Sequence, residues 1–275
     1  MSSELPFVSV IVSTYNRPDA LAMVLLALMR QTYGSFEVVI ADDGSGDETR
    51  LLIEQMRTRT RFALIHAWQE DNGFRAARAR NMAVAKSSGD YLIFLDGDCI
   101  PFEDFIERHM QLAEEGWLVR GNRLMLSEVH TAEILRDGLA LEQFSGLSML
   151  TNRFKGKIRR ILPLLRLPYG PFRKIKKNTW QGVKTCNLGM WRKDFVAVNG
   201  FDEEYQGWGH EDADLAVRLF RHGVKRKEGV FAVPVLHLWH PMNDRSQLNN
   251  NEARLRKILN NNLIVTKLGL SQHIT

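Results

Sequence analysis

The chain has 275 residues, 44% of them hydrophobic and 25% charged, which fits one large folded domain or two small ones and excludes a disordered or low-complexity chain. Its two cysteines, Cys99 and Cys186, exclude a disulfide scaffold and a multi-cysteine zinc site. The net charge of +5 is local: residues 143–193 hold 13 Lys and Arg and no acid, leaving 24 basic against 32 acidic residues elsewhere, a pattern that points to a local anionic partner.

No apolar run approaches the roughly 20 residues that span a bilayer. The first residues lack a basic stretch followed by an apolar one, so no signal peptide is expected. Residues 7–13 are short, β-branched and apolar, like a buried parallel strand. Asn16, Arg17, Pro18 and Asp19 read as a turn into a helix over 20–30, with Pro near its first position. A strand over 36–41, a helix over 48–58, a strand over 62–67, a helix over 76–86 and a strand over 91–95 follow. This alternation predicts an α/β fold with a mostly parallel sheet and helices on both faces. Ligands bind such sheets at the carboxyl ends of the strands. Those ends carry the polar clusters 14–17, 42–47 and 96–98.

Beyond Pro101 the pattern changes. Helices are expected over 102–115, 131–144, 211–222 and 243–262, and strands over 117–125, 185–190 and 230–237. Residues 200–209 read as a loop rich in glycine and aromatic residues. Residues 152–177 interleave basic side chains with Ile, Leu, Phe and Pro, as a mobile or interfacial segment does. Boundaries drawn from composition divide the chain into 1–120, 121–242 with a basic excursion over 151–178, and a helical tail over 243–275.

Four constellations carry chemistry. Asp96-Gly97-Asp98 ends an apolar strand, where two carboxylates can hold a hard divalent cation and leave positions for phosphate oxygens; Asp and Gly also suit a plain turn. Residues 207–215 set Trp208 between two glycines and just before Glu211, Asp212 and Asp214. A flat ring beside adjacent carboxylates makes a sugar-stacking platform with a general base, although acids at a helix start also answer the dipole. His237 and His240 lie three apart in an expected strand. Such spacing turns the two rings to opposite sides, making them poor co-ligands, with one left to complete an Asp98 site. The arginines of 72–81 can meet a diphosphate or form a solvated helix face.

Taken in order, residues 8–17, 41–45 (Ala-Asp-Asp-Gly-Ser), 79–81 (Ala-Arg-Asn), 94–98 (Phe-Leu-Asp-Gly-Asp) and 207–215 resemble the motifs of family 2 glycosyltransferases. The second half, through 200–205 and 208–212, resembles the galactosyltransferase-type C-terminal region; bacterial chondroitin-type polymerase modules and β-1,4-galactosyltransferases are similar. His210 stands where the family usually has a second glycine. The resemblance spans about residues 7–241 and implies the nucleotide-diphospho-sugar transferase (GT-A) fold and inverting transfer from a UDP-sugar donor. Ser13, Tyr15 and Arg17 would then line the nucleotide pocket, Asp43 would bond the uracil edge, and Arg75 or Arg80 would approach the diphosphate. Asp96 would face the ribose and metal. Asp98 and His237 would hold Mn2+ or Mg2+, Trp208 and Glu211 would bind the acceptor sugar, and Asp212 would be the base.

The expected product is a glycan or glycolipid of bacterial lipopolysaccharide or capsule synthesis, made by a cytoplasmic enzyme peripheral to the inner face of the membrane. The basic stretch 153–177 would dock an anionic membrane surface. Rival classes are weaker. A nucleotidylyltransferase would show a glycine-rich phosphate loop where 14–17 stand, and so would a nicotinamide dehydrogenase. A non-catalytic glycan-binding module would not need Asp96, Asp98 and Asp212 together. Nucleic acid is not an expected partner, because the basic stretch has few stacking rings.

Overall fold

The computed structural model describes residues 5–138, 156–157, 166–242 and 244–274. The first apolar stretch forms β1 (Val8–Thr14), which pairs in parallel with β2 (Phe36–Asp42) on one side and β4 (Tyr91–Asp96) on the other. β3 (Leu64–Trp68) extends β2, also in parallel. The crossovers are α1 (Pro18–Leu28), α2 (Asp47–Arg57) and α3 (Ala76–Ala85). Side chains alternate across the sheet. Val8, Val10 and Val12 face one core with α1 and α2, whereas Ile11, Val39 and Phe94 face a second core with α3. Both faces are thus covered, which explains strands with few outward polar residues.

The chain then builds β5 (Cys99–Pro101), α4 (Phe105–Leu112), β6 (Trp117–Arg120), β7 (Asn122–Met125), α5 (Glu128–Asp137), β8 (Asn187–Trp191), α6 (Arg192–Ala197), α7 (Glu211–Arg221), β9 (Lys225–Glu228), β10 (Pro234–His237) and α8 (Leu248–Leu259). β8 joins β4 antiparallel, so the large sheet runs β3-β2-β1-β4-β8-β6-β9, drawing on both halves of the chain. A small sheet, β5-β10-β7, packs into the first core. The mostly parallel sheet between helices is the expected architecture. No helix among the described residues is long and apolar enough to cross a membrane.

Several expected boundaries shift for local reasons. The single strand over 117–125 is two strands in two sheets, broken at Gly121. A Cβ at Gly121 would lie 2.2 Å from the Asn187 side chain, so only glycine fits this crossing. The helix expected from 131 starts at Glu128, where the Ser127 hydroxyl accepts the His130 N–H, and stops at Gly138 with φ +85°. Its expected continuation to 144 lies outside the described residues. The strand expected over 230–237 is only β10, because the chain turns through Phe231 at φ +63°. β9 reads Lys-Arg-Lys-Glu and has no apolar pattern; its ladder to β6 makes it a strand.

Candidate active site

The carboxyl ends of β1, β2 and β4 open on a cleft of about 670 Å3. Ser13, Tyr15, Arg17, Asp43, Arg80, Asp96 and Asp98 line it from the strand side, and Trp208, Glu211 and Asp212 from the second half. Residues more than a hundred positions apart therefore share one cavity. The tightest link is Arg80, buried on α3. It donates Nε to Ser13 Oγ at 3.0 Å and Nη1 to Glu211 Oε1 at 3.1 Å, and its Nη2 lies 3.5 Å from Asp96 Oδ1. One guanidinium thus neutralises a carboxylate from each side of the cleft.

On the strand side, Asp43 accepts the Arg75 N–H at 2.7 Å and the Gln69 amide. Burial nevertheless pushes its carboxyl up to about 6. The Tyr15 hydroxyl donates to Asp71 at 2.9 Å, and Arg17 pairs with Asp19 at 3.0 Å. Gly97 donates its N–H to Ser13 O at 2.7 Å, and a Cβ there would meet that same oxygen. The glycine between the two aspartates therefore lets β4 turn tightly against β1. Arg75 is the exception among the expected donor residues. Its Nη2 donates to Glu70 O at 2.6 Å and its side chain is not part of the cleft wall. Of the two candidate arginines, the cleft contains Arg80.

The opposing wall is the start of α7. Gly207 and Gly209 adopt φ of +73° and +111°, and a Cβ at Gly207 would lie 2.6 Å from Gln247. The glycines flanking Trp208 thus allow both the turn and the close approach of the segment before α8. His210 is itself left-handed, φ +75°, so it occupies a backbone position suited to glycine. Asp212 is 6% exposed. Burial and the adjacent Glu211 push its carboxyl up to about 6. Its Oδ2 lies 3.6 Å from Lys184 Nζ, and its Oδ1 is buried without a hydrogen-bond partner. Arg245 stacks its guanidinium 4.8 Å from the centre of the Trp208 ring.

Asp98 lies at the floor. His237 Nε2 is 3.6 Å from Asp98 Oδ1, and His240 Nε2 is 3.5 Å from Oδ2. This overturns the expectation that the two rings face opposite sides. β10 ends at His237, so strand alternation no longer governs His240, and the ring centres come within 5.2 Å. A carboxylate and two imidazoles at these spacings form a donor set that fits a divalent cation such as Mn2+. Burial lowers His237 to about 4, which keeps the ring neutral and able to bind a metal. Sequence reasoning missed Arg123, Lys184 and Arg245, which also line the cleft. They lie in segments without a motif, and only the basic bias around Lys184 hinted at one of them.

The sequence profile of Glycosyl transferase family 2 matches residues 9–160, more than half of the chain. The chain belongs to this family. A second profile, described as the N-terminal domain of galactosyltransferase, matches residues 173–237. Validoxylamine A glucosyltransferase from Streptomyces hygroscopicus subsp. jinggangensis (strain 5008) is 31% identical over 238 residues, covering 81% of this chain and 53% of that protein. Chondroitin synthase from Escherichia coli is 25% identical over 232 residues, covering 78% of this chain and 32% of that protein. This chain therefore spans about half the length of the first relative and about a third of the second. The mannosyltransferase PcManGT from Pyrobaculum calidifontis, solved with GDP-Man and Mn2+, matches with a TM-score of 0.59 at 17% identity, over 94% of this chain and 66% of that one. That likeness shows the shared fold, as the motifs in the sequence implied.

Proposed function

We propose that this chain is a metal-dependent inverting glycosyltransferase that moves a hexose or N-acetylhexosamine from a UDP-sugar to a hydroxyl of a glycan or glycolipid. The observation that carries this reading is Asp212. It is a buried carboxylate with one unpartnered oxygen, and it lines the same cleft as the strand-end aspartates 43, 96 and 98. Relatives named as a glucosyltransferase and a chondroitin synthase support it, as does a fold neighbour solved with GDP-Man and Mn2+.

In this reading Ser13, Tyr15, Arg17 and Asp43 hold the nucleotide, and Asp96 and Arg80 flank its ribose and diphosphate. Asp98 and His237, with His240 beside them, hold the cation. A divalent cation there supplies charge stabilisation as negative charge grows on the departing diphosphate. Trp208 and Glu211 receive the acceptor sugar. Asp212 Oδ1 accepts the proton of the attacking hydroxyl, and Arg80 holds the Glu211 carboxylate beside it by a hydrogen bond. No covalent nucleophile is needed, because attack from the opposite face inverts the anomeric carbon in one step. Residues 1–120 form the donor half and 121–242 the acceptor half, followed by the tail 243–275. The pathway fitting such an acceptor is bacterial lipopolysaccharide or capsule synthesis, at the cytoplasmic face of the membrane.

The test is Asp212→Asn, which keeps the shape of the side chain and cannot take the proton. UDP binding is expected to persist while transfer falls by about 10²-fold or more. A loss of less than about tenfold would remove Asp212 as the base.

A further inference from the structure

α7 begins with two adjacent carboxylates, Glu211 and Asp212, and the cleft treats them differently. Glu211 is tied to the buried Arg80, which donates Nη1 to its Oε1 at 3.1 Å. Asp212 receives no such bond. Lys184 Nζ stands 3.6 Å from its Oδ2, and among the described residues no other Lys, Arg or His pairs with this carboxylate. Its Oδ1 is buried and unpartnered. Lys184 reaches it from the loop before β8, and its own side chain is half exposed in the cleft wall. That loop is anchored from below. Lys184 O accepts the Asn187 N–H at 3.3 Å, and the buried Asn187 side chain donates to the carbonyls of Asn122 and Val233. β8 thus holds Lys184 opposite the start of α7.

The 3.6 Å separation is longer than a good N–H···O hydrogen bond. Lys184 therefore acts on Asp212 by charge, whereas Arg80 binds Glu211 directly. We propose that Lys184 is a positioning residue for the reaction: its ammonium holds the Asp212 carboxylate by Oδ2 and leaves Oδ1 as the oxygen that takes the hydroxyl proton. This rests on the reading of Asp212 as the base. The same charge also favours the ionised carboxylate. Burial and Glu211, on the same helix, favour the protonated form, while Lys184 and, to a lesser degree, Arg80 of α3 oppose them. His210, just before α7, and Arg245, before α8, line the same cleft, and among the described residues neither pairs with Asp212. Arg80 is committed to Ser13, Asp96 and Glu211. Lys184 is therefore the cation whose removal reaches Asp212 without unlinking the two walls of the cleft.

The test reads the carboxyl directly. Carboxyl-carbon NMR of the full-length protein carrying labelled aspartate, with Asp212→Asn to assign the signal, follows the titration of Asp212 without any substrate. In Lys184→Met the midpoint is expected to move up by about half to one pH unit, because an opposite charge favours the ionised form. Lys184→Arg, which keeps the charge, is expected to stay within about 0.2 of the wild type. The Lys184 side chain is half exposed, so neither substitution leaves a buried gap. The second readout is UDP release with Mn2+ from whichever of UDP-Gal, UDP-Glc, UDP-GlcNAc and UDP-GalNAc turns over. In Lys184→Met, kcat at pH 6 should fall by about two- to fivefold, more than at pH 8, with KM for the UDP-sugar unchanged, and Lys184→Arg should restore it. An Asp212 midpoint that stays put in Lys184→Met overturns the proposal, as does a loss carried by KM with kcat unchanged. A midpoint that moves, together with an Asp212→Asn protein that keeps its turnover, would instead remove Asp212 as the base and the role of Lys184 with it.

Discussion

Asp212 carries two costs inside the cleft: it is buried, and one of its oxygens is unpartnered. Its carboxyl is pushed up to about 6, above the ordinary aspartate value near 3.8. A folded-state value above the unfolded one means stability is fully present below the unfolded value and is lost as pH rises through about 6. At neutral pH the ionised group thus costs on the order of 3 kcal/mol. The proposed base must be ionised to act, so transfer is expected to fall as pH drops through about 6. In Asp212→Asn that inflection should vanish and the melting temperature at pH 7 should rise. A pH–rate profile and thermal unfolding of both proteins check this; an unchanged inflection near 6 in the variant would assign it to another group.

Much of this site was legible at the residue scale, because its chemistry rides on short motifs at strand ends and a helix start. Asp43, Asp96, Asp98 and Asp212 all reach the cleft. Strand alternation does not place the two histidines, because the ladder stops at His237. Arg80 was expected near a diphosphate. Its grip on Ser13, Asp96 and Glu211 joins residues far apart in sequence, and no local pattern encodes that.

At the scale of elements, the basic stretch divides. Its residues 153–155 and 158–165 lie outside the described residues, so the apolar side chains expected to dock there have no structural description. Within the described part, Lys157 pairs with Glu133, Arg166 with Asp104 and Lys174 with Glu114. Arg173, almost fully buried, donates to the carbonyls of Leu167, Pro168, Glu228 and Val230. These cations fasten the segment to the fold. Lys176 and Lys177 remain exposed beside Phe172 and Ile175, the latter 76% exposed. An anionic membrane surface as the partner of this stretch is therefore a proposal that rests on fewer charges than composition suggested. Each Lys or Arg near such a surface contributes roughly 1 kcal/mol. The protein is expected to sediment with anionic but not neutral liposomes, less so at high salt. Replacing Lys176 and Lys177 by Gln should weaken the effect. Equal sedimentation with both vesicle types, or with neither, would remove the membrane surface as a partner. Helices and central strands were readable from apolar periodicity. β9 and the break at Gly121 were not, because pairing partners and a steric crossing decide them.

At the scale of the whole molecule, the parallel half of the sheet puts the ends of β1, β2 and β4 in one row, with aspartates 43, 96 and 98 on two of them, and the antiparallel return through β8 carries the start of α7 across from them. The cleft exists only because both halves contribute to it, as the Arg80 bridge shows. The proposed transfer from a UDP-sugar would depend on a cation held by Asp98. The most direct measurement is release of UDP from UDP-Gal, UDP-Glc, UDP-GlcNAc and UDP-GalNAc, with Mn2+ or with excess chelator, for the wild type and Asp98→Ala. The expected result is turnover of at least one donor with Mn2+, abolished by chelator and by Asp98→Ala. Full turnover in excess chelator, or an Asp98→Ala protein as active as the wild type, would contradict it.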